Sequence, residues 1–223
     1  TAFDVTFGGN SDLAPDWLWF KSLIASNHFL YDKVRGALKT ISSDTSAAQA
    51  TSAGSLTAFG TDGFSLGNGG SNNDINGVAG TAHIAWGWAA NGAGSSNSDG
   101  SLSSTVSANQ TAGFSIVTAT PGISGSNDTI GHGLGIAPKM IIGKNTNFSD
   151  NWHVYHSAIS PATEVRLNST SAATTTSWQS ASTSSVFQIK NGAWTNGGQV
   201  CLFYCFAEIP GYSSFGSYVA NAN

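Results

Sequence analysis

The side chains able to do chemistry in this chain are few and poorly grouped. Its only glutamates, Glu164 and Glu208, fall in different strands or strand ends. Glycoside hydrolysis wants two carboxyl groups facing each other across the sugar, and no closely spaced pair of glutamates occurs. His153 and His156 spell H-x-x-H, which on a helix would put both rings on one face. On a strand an odd separation sends them to opposite faces, so no metal site is expected there. His132 lies in Gly131-His132-Gly133-Leu134-Gly135, where glycines permit a tight turn and a turn-stabilising hydrogen bond is the expected role. No Cys/His pairing stands out. Asn72-Asn73-Asp74-Ile75-Asn76-Gly77 and Ser126-Asn127-Asp128 are rich in the oxygen ligands that Ca²⁺ takes. They match no complete loop pattern, and Asx-turns explain them as well. The expectation is a protein without catalytic residues, metal or cofactor.

Aromatic residues are the stronger signal. Trp86 and Trp88 stand at i and i+2 with Ile84 on the same strand face, and Leu202, Tyr204 and Phe206 share a face in a matching strand. Such pairs can form a stacking platform for sugars. The commoner role is to fill a sandwich core, since each ring buries ~150–250 Å², and Trp17 and Trp19 read the same way. Trp178 and Trp194 differ. They sit in the polar stretches Thr176-Ser177-Trp178-Gln179-Ser180 and Gly192-Ala193-Trp194-Thr195-Asn196. An aromatic held in such a loop is a candidate glycan or partner contact; the alternative is that it folds back as a lid over the sandwich end. Trp178 and Trp194 are the candidate binding residues.

Composition narrows the setting. Of 223 residues, 40% are hydrophobic, with 12 Phe and 7 Trp, enough to bury a core. Only 9% are charged, against about 25% in an ordinary soluble domain. The polar surface is therefore Ser, Thr, Asn and Gly, which suits extracellular and virion proteins. A net charge of −4 and a pI near 5.6 argue against a nucleic-acid partner. No apolar run approaches ~18 residues, so no membrane partner is expected. Cys201 and Cys205, if on one strand, have Cα atoms about 13 Å apart at ~3.3 Å per residue. A disulfide needs less than about 7 Å, so they should not pair, which fits assembly in a reducing cytoplasm. The chain opens on Thr1 without a signal peptide and reads as processed or cut from a longer protein.

Short aromatic-rich or alternating segments recur between Gly, Asn, Ser and Pro clusters, the sequence form of a sandwich. Strands are expected at Phe3–Phe7, Trp17–Leu23, His28–Asp32, Phe64–Leu66 and His83–Trp88. Further strands are expected at Phe114–Thr118, Met140–Lys144, Trp152–His156, Val165–Asn168, Phe187–Lys190 and Val200–Phe206. The polar stretches 67–80, 91–107 and 169–185 read as connections, and 44–53 as loop. The chain also says nearly the same thing twice. Ala14, Tyr31, Phe64 and Trp86 each open or centre a motif that returns at Ala137, Tyr155, Phe187 and Tyr204, at offsets of 123, 124, 123 and 118 residues. Kept order with drifting spacing is the mark of a duplicated unit. The expected fold is all-β, a jelly-roll or concanavalin-like β-sandwich of two repeated halves, residues 1–112 and 113–223. The close, Phe215–Asn223, rhymes with the opening, Phe3–Asn10, like the start of a further unit.

The string Pro15-Asp16-Trp17-Leu18-Trp19-Phe20-Lys21, Tyr31-Asp32-Lys33-Val34-Arg35-Gly36, Asp62-Gly63-Phe64-Ser65-Leu66-Gly67 and Ile84-Ala85-Trp86-Gly87-Trp88 continues in the second half. It runs on through Gly113-Phe114-Ser115-Ile116-Val117, Gly131-His132-Gly133-Leu134-Gly135-Ile136-Ala137-Pro138-Lys139 and Cys205-Phe206-Ala207-Glu208-Ile209-Pro210-Gly211-Tyr212. Together these resemble an uncharacterised domain of bacteriophage tail fibre and virion structural proteins, common in marine phages, over nearly the whole chain. The resemblance carries no catalytic residues. It implies a place in a virion tail or fibre, assembled in the host cytoplasm and exposed outside. The implied partners are other virion proteins and copies of itself, in a homo-oligomer such as a trimer, with a host-surface glycan as external contact. A carbohydrate-binding module of an extracellular protein is the alternative. Where the family continues through G-x-Y-x-G-N, this chain has Gly216-Ser217-Tyr218-Val219-Ala220-Asn221, with alanine in place of the second glycine.

Overall fold

Runs of consecutive apolar residues such as Trp17–Phe20 and Cys201–Phe206 produce strands buried on both faces. The computed structural model describes residues 1–10, 12–69, 75–122, 127–175, 177–190 and 198–221. In chain order the first strands are β1 (Phe3–Thr6), β2 (Trp17–Ser22), β3 (His28–Asp32), β4 (Lys39–Ser42), β5 (Ala50–Thr51), β6 (Leu56–Phe59), β7 (Gly63–Leu66) and β8 (His83–Trp88). The remainder are β9 (Ser95–Asn97), β10 (Ser104–Asn109), β11 (Phe114–Ala119), β12 (Asn127–Gly131), β13 (Met140–Asn145), β14 (His153–His156), β15 (Val165–Arg166), β16 (Val186–Lys190) and β17 (Cys201–Phe206). No helix is present among the described residues. The molecule is all-β and sandwich-like.

The strands form four sheets, with orders β1-β7-β6, β5-β4-β3-β2-β8, β15-β14-β13-β17-β11-β10-β9 and β12-β16. Side chains alternate between faces along a strand, and three cores follow from that. Trp17 and Leu30 of the five-stranded sheet meet Phe114, Ile116, Ile142, Val154, Leu202 and Tyr204 of the seven-stranded sheet in a central core. Leu18, Phe20, Phe29 and Tyr31 point the other way, against Leu56, Phe64 and Leu66 of the three-stranded sheet. Ile141, Tyr155, Phe203 and Cys205 likewise turn outward, against Ile130, Phe187 and Ile189 of the two-stranded sheet. The two large sheets are thus inner layers, and each small sheet covers one of their outer faces.

Strand pairs at the positions read as repeated keep one register. Trp17 faces Trp88 and Trp19 faces Trp86, as Met140 faces Phe206 and Ile142 faces Tyr204. Leu18 faces Tyr31 as Ile141 faces Tyr155, and Val5 faces Phe64 as Ile130 faces Phe187. Hydrogen bonds follow suit. Asp16 N donates to Trp88 O at 2.8 Å and Lys139 N to Phe206 O at 2.7 Å; Leu23 N donates to Ala82 O and Thr146 N to Val200 O, both at 3.0 Å. Lys21 Nζ and Lys144 Nζ each donate at 2.8 Å to the carbonyl of the next residue, capping the turn that follows.

The strands expected from the sequence are all present, with ends shifted by a residue or a few. Six elements, β4, β5, β6, β9, β10 and β12, were not expected, and β5 falls within 44–53, the stretch read as loop. β9 and β10 lie in or at the end of the stretch read as a connection, and β12 includes Asn127 and Asp128, read as a turn or calcium loop. β10 is Ser-Thr-Val-Ser-Ala-Asn, whose polarity hides a strand. Val106 and Ala108 pack on the outer core, while the buried Ser104 and Ser107 hydroxyls are satisfied, donating to Gly131 O and accepting from Asn91 N. The boundary expected at residue 112 falls between β10 and β11, which are paired along their whole length.

A polar cluster crosses the central core. Arg35 Nε donates to Asp32 Oδ2 at 2.6 Å, and the Tyr204 hydroxyl donates to the same oxygen at 2.8 Å. Arg35 also reaches Leu30 O, Lys39 O and Gln49 Oε1. All three side chains are buried, so β3 of one inner sheet is tied to β17 of the other. Burial opposes the charge on Arg35, but Asp32 and Tyr204 outweigh it and hold the guanidinium more basic than usual. Burial and the Asp32 charge push the Tyr204 phenol well above its ordinary range. Removing one partner of a buried ion pair leaves an uncompensated charge, so Asp32→Ala should cost about 3–5 kcal/mol. Tyr204→Phe should cost about 1–3 kcal/mol. Urea unfolding of both variants checks the order.

Candidate functional site

Polar chemistry gathers at β14, where the sequence suggested none. His153 Nδ1 lies 2.9 Å from Glu164 Oε1 and 2.9 Å from Ser177 Oγ, and Nε2 lies 3.3 Å from Asp150 Oδ2. The residue types are those of a hydrolase triad, but the wiring is not. In a triad the serine hydrogen-bonds one ring nitrogen and the acid orients the other. Here Ser177 and Glu164 share one nitrogen, and a second carboxylate holds the other. Ser177, His153 and Glu164 are also buried. The cluster ties β14 to the segments around Glu164 and Ser177. His153 shares its strand face with Tyr155, and His156 takes the opposite one with Val154, so the H-x-x-H spelling does not converge.

His132 does hold its turn: its Nδ1 accepts from Leu134 N, and Nε2 meets Thr183 O, both at 3.2 Å. Lys144 is buried and its amine falls to about 8 through desolvation, but its donors are spent on Asn145 O and Phe148 O. Cys201 and Cys205 are free, buried on one face of β17, and made poorly ionisable by burial, Cys201 rising to about 12. Among the described residues no three His, Cys, Asp or Glu side chains gather as a metal site; residues 70–74 and 126, in the oxygen-rich stretches, lie outside those described.

The expectation that Trp178 offers its ring to a ligand is corrected. It is 1% exposed and sits in the outer core, with ring centroids 5.9 Å from Tyr155, 6.0 Å from Phe187 and 6.3 Å from Phe203. Its segment is drawn inward by a bridge to Ile189 and by Lys190 N donating to Ser177 O. Polar sequence neighbours concealed an aromatic that closes the gap beside the two-stranded sheet. Trp194 lies outside the described residues.

The exposed aromatics are elsewhere. β8 is the edge of the five-stranded sheet, and Trp86 and Ile84 are each 45% exposed on the face that carries Trp17 and Trp88. Trp17 and Trp88 are inside the central core or packed against it, with centroids 4.4 Å apart. Farther along, the opposing sheet no longer covers the face. Trp86 there meets Trp19 edge-on at 6.1 Å, and Trp19 meets His28 at 6.4 Å. The row Trp88, Trp17, Trp19, Trp86 runs from core to surface, so the outer rings are anchored by the inner ones. Expecting Trp86 to be core was half right: the i, i+2 spacing found the face, but only the overlap of the two sheets decides which ring is covered. The ledge offers flat apolar rings, with Lys21 on the same face holding its amine on the carbonyls of Ser22, Ile24 and Ser26. Such a surface suits stacking against the C–H face of a neutral sugar.

The chain matches the model of a family described as Domain of unknown function (DUF7483) over residues 6–223, and belongs to that family. No curated protein and no solved structure matches it.

Two stability measurements separate these roles. Trp178→Ala should cost about 3–5 kcal/mol as a large-to-small core change, and Trp86→Ala no more than about 1 kcal/mol; denaturant melts compare them. The two buried histidines should titrate stability in opposite senses. Burial depresses His153, but hydrogen bonds and charges from Asp150 and Glu164 outweigh it and raise its pKa. Its contribution is full below about pH 6.5, the unfolded value, and fades as pH rises through the raised folded value. Burial lowers the pKa of His132, so its contribution is full above about pH 6.5 and fades as pH falls toward the lowered value. The stability gap between wild type and His153→Gln should narrow from pH 5.5 to 8, and the gap to His132→Gln should widen.

Proposed function

We propose that the chain is a non-catalytic module of a bacteriophage virion appendage, a tail fibre or tail component, that helps attach the particle to host-surface glycan through the Trp86–Trp19 ledge. The ledge is the observation that carries the glycan contact: aromatic rings held by the core and exposed at a sheet edge, with the Lys21 amine on that face turned onto main-chain carbonyls. The virion setting is supported by the resemblance that runs along nearly the whole chain and by a surface of Ser, Thr, Asn and Gly with few charges.

We further infer that the fold is a duplicated sandwich unit, its halves joined face to face. The shared registers, the paired hydrogen bonds at matching positions and the two turn-capping lysines support that reading. A carbohydrate-binding module of an extracellular protein would use the same ledge and differs in location.

Mass spectrometry of purified phage particles should detect the protein. On a glycan array the intact protein should bind a defined sugar set, and Trp86→Ala should weaken that binding about 30-fold, the scale of a Trp hot spot of about 2 kcal/mol. Unchanged binding in Trp86→Ala would remove the ledge from the reading. Ledge-dependent binding by a protein absent from particles would select the extracellular module.

A further inference from the structure

β17 and β8 occupy matching places, but only β17 is paired on both sides. It bonds β13 on one side and β11 on the other, and β10 and β9 extend the sheet beyond. β8 bonds β2 and, among the described residues, nothing else. Ala82 and Trp88 direct their carbonyls to β2, so the backbone groups of His83, Ala85 and Gly87 turn to the open side. The positions matching them, Cys201, Phe203 and Cys205, face Ala119, Val117 and Ser115 of β11.

A gap lies beside this edge. A cavity of about 390 Å³ opens between the three- and five-stranded sheets, lined by Phe3, Val5, Phe7, Phe64, His83 and Ala85 among others. The matching space in the second half is filled, because Val106 of β10 and Val117 of β11 pack there into the outer core. The first half therefore has both the bonding edge and the apolar gap that a β11-like strand closes in the second.

A strand of fitting character is exposed on the same molecule. Residues 214–221, Ser-Phe-Gly-Ser-Tyr-Val-Ala-Asn, carry no charge and no proline, and join no sheet. Tyr218 is 91% and Val219 96% exposed.

We propose that the open edge of β8 receives the C-terminal segment 214–221 of a second copy of this chain as an added antiparallel strand, with Tyr218 filling the cavity. In the register that β11 takes on β17, Phe215, Ser217 and Val219 lie beside Trp88, Trp86 and Ile84, widening the ledge without covering it. Tyr218 then points to the opposite face, over Ala85. Main-chain bonds supply the attachment and the tyrosine its specificity, as in strand addition generally. Edge and segment are different surfaces, so the contact is head-to-tail and extends to a filament or closes to a ring.

Sedimentation across a range of concentrations tests this, with near-ultraviolet circular dichroism as the check of folding. The intact chain should gain mass with concentration. Tyr218→Asp, which spoils the segment, and Ala85→Glu, which puts a charge in the cavity, should each weaken association tenfold or more. Mixed together, each variant keeps the surface the other lacks, so the pair should form dimers that grow no further. A synthetic peptide of residues 213–221 should shift the tryptophan fluorescence of the intact protein and compete with its association, a readout independent of whether Ala85→Glu folds. A mass constant with concentration would overturn the proposal, as would association untouched by Tyr218→Asp or a peptide without effect.

Discussion

One carboxylate, one guanidinium and one phenol hold the two inner sheets in a single relation. Asp32 accepts from both Arg35 and Tyr204, and Arg35 directs its remaining donors to Leu30 O, Lys39 O, Gln49 Oε1 and the Tyr204 hydroxyl. Desolvating such a pair is expensive, and an apolar cluster of the same volume could equal it in stability. What the polar cluster adds is direction. Aromatic and aliphatic faces can slide over one another at small cost, whereas these hydrogen bonds are satisfied at one offset of β3 over β17. Nearby, Trp152 Nε1 donates to Ser42 O at 2.8 Å and Gln49 N to Thr146 O at 2.9 Å, so the same offset is pinned at the sheet end as well.

That offset decides which aromatic residues are core and which are surface. The five- and seven-stranded sheets overlap over Trp17 and Trp88 and cease to overlap at Trp86 and Ile84. No local property of β8 distinguishes its two tryptophans, since both stand on the same face of the same strand. The ledge is thus a product of sheet placement, which the buried cluster sets. A change that let the sheets slide would cover Trp86 or uncover Trp17, altering the surface without touching a ledge residue.

This explains what was legible in the sequence. Strands rich in aromatic and branched residues could be found, because burial on both faces demands a run such as Cys201–Phe206. The motifs read as repeated were legible for the same reason, as they fall on strands that face the cores. β10 and β12 were not, because their buried polar groups are satisfied by partners outside their own strands: Ser104 at Gly131, 27 residues on, and Asp128 at Gly122 N, six residues back. Trp178 was misread because its neighbours are polar, though it is carried inward by bonds to the distant β16. The Ser177–His153–Glu164 cluster likewise joins segments that no local pattern relates.

The stretches read as repeated share registers, but their strands β8 and β17 are not covered alike. On the side of β17 away from β13 the edge is covered by β11, with β10 beyond it. The strand at the matching position in the first half would have to come from outside the described fold. A sheet edge with unpaired backbone groups beside an apolar gap is a template for another chain, and β8 has none of the charged side chains by which edges are commonly blunted. His83, Ala85 and Gly87, which turn their backbone to the open side, include no Lys, Arg, Asp or Glu. Among the described residues nothing bonds β8 on the side where β17 is paired with β11, so the edge stands open to a further strand.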